Sequence, residues 1–141
     1  MSWVYDRQIS IYSRVNALLL SKLTKKHRDL NFNITMDNAQ STSAKFPTVY
    51  ITFIGADERG QTLDGKNINA VNMTVEVHVL TTKSQGASLN SEIAWEATEA
   101  FKSMGFTATM PNIPLGNSES VYESVSRYSR IIGQDDVLYT V

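Results

Sequence analysis

Cysteine is absent from this chain of 141 residues, and histidine occurs only twice, at His27 and His78. The first absence excludes disulfides, thiolate metal sites and a cysteine nucleophile, and it gives no reason to expect an oxidising compartment. The scarcity of imidazoles leaves little from which to build a metal centre or a general base. Neither sign of charge is in excess: 13 Lys and Arg stand against 14 Asp and Glu, for a formal net charge of -1. A general nucleic-acid or anionic-membrane binder needs clustered surplus cations, so neither class fits. Long apolar runs are missing too. Ala17-Leu18-Leu19-Leu20 is far too short to cross a bilayer, and the opening Met1-Ser2-Trp3-Val4-Tyr5-Asp6 has no secretory pattern, so synthesis in the cytoplasm is expected.

What remains suits one soluble globular domain over residues 1–141, with 42% hydrophobic residues and no internal repeat. The strongest pattern lies in residues 67–106. Val71, Met73, Val75, Val77 and Val79 alternate with Asn72, Thr74, Glu76 and His78, the period of two of a strand with one buried face. After a turn, Leu89, Ile93, Ala97, Ala100, Phe101 and Met104 recur at threes and fours, which predicts a helix with one buried stripe. Gly105 is placed to end that helix in a left-handed conformation, with Phe106 folding back as the apolar contact of the cap.

Upstream, Asp6 is the expected N-cap of a helix running to about His27. Ile11, Tyr12, Val15, Leu18, Leu19 and Leu23 form its main stripe, with Ile9 and Leu20 outside it. So wide an apolar arc predicts a second contact, within the chain or with another subunit. Lys25-Lys26-His27-Arg28 is read as complementing the helix dipole in preference to binding phosphate. Residues 30–36 read as a short half-exposed strand, 37–45 as a surface loop, and 46–54 as a strand apolar on both sides. Residues 55–67, with Asp57-Glu58-Arg59, read as a long polar connection able to reach a partner. Residues 106–110 read as a strand ended by Pro111. Residues 121–132 form a last strand with neither side cleanly apolar, suited to an edge or to a sheet whose two sides meet different partners, and an apolar tail at 137–141 needs a groove or an adjacent strand.

Catalytic constellations are hard to assemble. Glu76 and His78 share a strand side, but without a third ligand at a recognisable spacing they read as a solvated or interface pair. The stretch 55–60 lacks the lysine and hydroxyl of a phosphate loop, and no serine stands in a nucleophile elbow. No cofactor or metal is expected. Trp95 is the odd residue. It sits nearly opposite the buried stripe of its helix, so either another element covers it or it anchors a second chain.

The order of elements resembles the tail terminator (tail completion, head-to-tail joining) proteins of long-tailed bacteriophages. The resemblance spans nearly the whole chain. It rests on the N-terminal helix, the strand opening with Phe46-Pro47, the strand Asn72 to Val79, the helix ending Met104-Gly105-Phe106, and the Arg127-Tyr128-Ser129-Arg130 strand. The loop 37–45 stands outside that layout. The resemblance implies an α/β domain in the broad sense (α+β), a mixed, mainly antiparallel sheet with two main helices packed on it. It implies no catalytic residue. Six subunits would close into a homohexameric ring in the neck region of the virion. The ring would cap the tail tube and meet the head-completion or connector protein, with DNA passing through unread and no membrane involved. Partner contacts are then expected at Asp57, Glu58, Arg59, Trp95, Arg127 and Arg130. The competing readings are another neck, head-completion or tail-tube structural protein, a small hydrolase using His78 and Glu76, and a DNA-associated regulator, for which a basic face is lacking.

Overall fold

The computed structural model of the chain describes residues 2–36, 47–61, 68–82, 84–114, 121–133 and 136–138; the side chains of 2, 56–61, 68 and 69 lie outside that description. The elements run α1 (Ser2–Lys26), β1 (Asn33–Thr35), β2 (Thr48–Gln61), β3 (Ile68–Thr82), α2 (Gly86–Ser103), β4 (Thr107–Pro114) and β5 (Val121–Gly133). The strands form one sheet in the order β1-β2-β3-β5-β4. Only β1 and β2 are parallel, and every other pair is antiparallel. Two helices on a mixed, mainly antiparallel sheet make this an α+β fold, as expected.

Both helices cover the same side of the sheet. Ile11, Val15, Leu19 and Leu23 of α1 join Ile93, Ala97 and Phe101 of α2 and the odd-numbered positions of β3 from Val71 to Val79 in one buried cluster. Alternation dictates this, because every second residue of β3 must leave water together. Phe101 is the keystone, stacked on Tyr128 of β5 at 4.7 Å between ring centroids and edge-on to Phe106 at 5.3 Å. Truncating such a fully buried aromatic costs about 3–5 kcal/mol. The helix stops as the sequence predicts. Gly105 takes φ 81, its N–H donates to the Lys102 carbonyl at 3.0 Å, and the Phe106 N–H donates to Phe101 at 3.1 Å.

Several boundaries differ from the sequence expectation. Helix α1 starts at Ser2, so Asp6 lies inside it and is no cap. Strand β2 does not end near Ile54. After a bulge between Phe53 and Gly55 it continues to Gln61, pairing Asp57 with Asn72, Glu58 with Val71 and Arg59 with Ala70. The expected loop is thus largely one arm of a hairpin, because the ladder offered by β3 outweighs the weak strand propensity of Gly and Asp. Strand β4 runs on through Pro111 to Pro114 with two register shifts, which a single paired side tolerates. Strand β5 is not an edge: it lies between β3 and β4. Beyond it, the Asp136 carboxylate accepts from the Gly133 N–H at 2.7 Å, the Arg7 guanidinium donates to the Asp136 carbonyl, and Leu138 enters the core. The loop 37–45 and residues 139–141 of the tail lie outside the described residues.

Candidate functional site

Among the described residues no element covers the other side of the sheet. The register brings four charged or titratable side chains together there: Glu76 and His78 on β3, Glu123 and Arg127 on β5. The imidazole of His78 lies between two carboxylates, its Nε2 2.5 Å from Glu76 Oε1 and its Nδ1 2.9 Å from Glu123 Oε2. Arg127 Nε donates to Glu76 Oε2 at 2.7 Å. Burial raises the Glu76 carboxyl, but hydrogen bonds and charge from His78 and Arg127 together outweigh it, and the group titrates below the usual carboxylate range. The Glu76 and His78 pair named from the sequence therefore exists, but as the centre of a four-residue cross-strand network with Tyr50 tilted over the imidazole at 5.7 Å. Among the described residues no group of three His, Asp or Glu side chains is placed to hold a metal ion. Both imidazole nitrogens lie within hydrogen-bond distance of a carboxylate oxygen.

Apolar side chains surround this network. Ile131 is 57% exposed, Ile54 at the bulge 46% and Ile113 on β4 41%, while Val125 is shielded between its neighbours. The cross-strand pairs place Ile131 beside Asn72 and Ile113 beside Val125, on the side that also carries His78.

The helix layer presents a second surface. Trp95 is 60% exposed, so the alternative in which α1 covers it does not hold. On α1, Tyr5 and Ile9 lie one turn apart and Leu20 three turns further along the same side, all open to solvent. The cationic end of α1 has a role beyond the helix dipole. Lys22 and Lys26 approach Glu96, and Lys26 and His27 approach Glu92, across the seam with α2. These cations line the seam between two helices whose packing is carried by the buried cluster. Among the described residues no helix is long and apolar enough to cross a membrane.

The six residues expected to contact partners do not form one site. Asp57, Glu58 and Arg59 lie along the distal arm of β2, and their side chains are outside the described residues. Trp95 is on the helix layer. Arg127 and Arg130 belong to opposite sides of β5: Arg127 faces Glu76 on the open side, whereas Arg130 donates to the Met104 carbonyl and closes the end of α2. Arg130 thus has a structural task within the subunit, packed over Gly105, where a Cβ would meet its guanidinium at 3.2 Å. Glu123 was missed as a member of the open-side cluster, because its link to His78 spans 45 residues of sequence. No family model and no curated protein matches this chain in sequence.

Proposed function

We propose that this chain is a structural subunit of a long-tailed bacteriophage particle that assembles into a ring, caps the finished tail tube and offers its other end to the head connector. One observation carries the reading: unsheltered apolar side chains stand on both sides of a two-layer subunit, Trp95 with the Tyr5 and Ile9 stripe on the helices and Ile54, Ile113 and Ile131 on the sheet. A closed ring built head to tail requires two different surfaces on every copy, and exposed apolar side chains are available on each. The order of elements that resembles the tail terminators adds to this. In this reading the role is assembly, and the network of Glu76, His78, Glu123 and Arg127 is part of the contact surface.

Asp57, Glu58 and Arg59 are the candidate contacts with an axial partner, the tube or the connector. Replacing all three by alanine is expected to abolish attachment to tail tubes while leaving the melting transition of the isolated subunit cooperative. Electron microscopy of the purified protein, alone and mixed with tail tubes, tests the whole reading. Closed rings that cap tube ends are expected. Long tubes of the chain alone would favour a tube-like protein, and a lone particle that ignores both tubes and connectors would refute the assembly role.

A further inference from the structure

The side of the sheet away from the helices is an unusual surface to leave in water. An antiparallel sheet solvated on one side normally turns polar residues outward. Here Tyr50, Leu80, Val125, Ile113 and Ile131 share the outer side with the charged network. The polar groups among them are already joined: Glu76 to His78 and Arg127, Glu123 to His78, and Asn72 to Ser129 at 2.8 Å. A surface whose polar groups are paired in advance can be covered without stranding a charge.

Its size and charge indicate what covers it. Five strands about 4.8 Å apart span ~19 Å, and the 13 residues of β5 run for about 43 Å beside β3. The 18 residues of α2, a rod about 27 Å long and ~10 Å wide, fit within that outline and cover about a third of it. Glu76 is paired with the permanent cation of Arg127, whereas Glu123 meets only the imidazole of His78. The complement is on the same chain. Lys102 lies two turns beyond Trp95 on the same side of α2, is exposed, and has no ion pair among the described residues. An apolar anchor and a free cation thus stand about 10 Å apart on one helix.

We propose that α2 of one copy seats on the open sheet side of the next, with Trp95 packing at the Ile113 end and Lys102 meeting Glu123. The contact turns each two-layer subunit into part of a helix-sheet-helix stack. It joins two different surfaces, so it propagates head to tail and closes only as a ring. This rests on the ring reading and specifies which surfaces make it.

The test is complementation between two defective copies. Trp95→Glu keeps an intact sheet side, and Ile113→Glu keeps an intact helix side. Each alone is expected to be monomeric by light scattering at concentrations where the wild type is assembled, and an equimolar mixture is expected to stop at a dimer of one copy each. Lys102→Glu should weaken association at least about tenfold at low salt and less at high salt. Both anchor residues are exposed, so cooperative melting should survive; if either glutamate variant does not melt cooperatively, Trp95→Ser and Ile113→Ser carry the same comparison. Self-association of the Trp95 variant through its sheet side alone, or a mixture that stays monomeric, overturns the proposal. If wild-type rings form and both variants form them too, this inference fails while the ring reading stands. If the wild type never assembles, the ring reading itself fails.

Discussion

Replacing Asn90 by alanine is expected to cost more stability than any surface change in this protein. Asn90 is fully buried in the first half of α2. Its amide donates to the Val79 carbonyl at 2.9 Å and the Tyr122 carbonyl at 3.2 Å, and its Oδ1 accepts from the Ser124 hydroxyl at 2.5 Å. One side chain therefore ties α2 to β3 and β5 at the same level of the sheet. Removing it leaves a buried hydroxyl without its acceptor and two carbonyls each short of a donor, and a stranded buried polar group costs about 1–3 kcal/mol. The carbonyls retain other opportunities, so a total of about 3 kcal/mol is expected, with a melting temperature lower by roughly 10 °C for a domain of this size. Urea unfolding of Asn90→Ala, Ser124→Ala and the double variant measures it. Because Ser124→Ala removes the orphaned hydroxyl, the double variant should recover at least about 1 kcal/mol relative to the sum of the singles. A loss below about 0.5 kcal/mol for Asn90→Ala, or strict additivity, would show that the three bonds do not hold the helix to the sheet.

Three further outcomes follow from the packing. Gly105→Ala forces a Cβ into a left-handed backbone against the Arg130 guanidinium, at about 1–2 kcal/mol for the conformation alone, and the loss should shrink towards that value in an Arg130→Ala background; equal losses in both backgrounds would remove Arg130 from the cap. Tyr128→Phe keeps the stack on Phe101 but deletes the hydroxyl that meets Thr98 at 2.6 Å and Ser126 at 3.0 Å, so a loss of about 1–2 kcal/mol is expected by denaturant titration, and no loss would mean those hydroxyls find other partners. Glu76 titrates below its unfolded value, so its contribution is complete above the ordinary carboxylate range near pH ~4.3 and disappears as pH falls through the lower folded value. The acid side of the stability curve should accordingly be less steep in Glu76→Gln than in the wild type, and parallel curves would contradict the network.

The candidate surfaces were partly legible before any fold was known. Trp95 opposite its own helical stripe is a statement about angles along one helix, and it led directly to an exposed aromatic. The pairing of Glu76 with His78 follows from a spacing of two on one strand. Their junction with Glu123 and Arg127 could not be read, because it depends on which strand lies beside β3 and in what register. The same ignorance left β5 undecided between an edge and a strand whose two sides meet different partners; alternation already put Arg127 and Arg130 on opposite sides, and the sheet sends one to solvent and the other to a helix end.

The sequence by itself determined the alternating core strand β3, the buried stripe of α2 and the glycine stop with its returning phenylalanine, since each depends on a period or a dihedral preference set within a few residues. Only the tertiary structure decided that β2 continues past its bulge, that Asn90 is a buried hub and that one side of the sheet stays open among the described residues. Those outcomes depend on hydrogen bonds and burial between segments distant along the chain, where a neighbour's ladder or carbonyl outweighs what the local residues prefer.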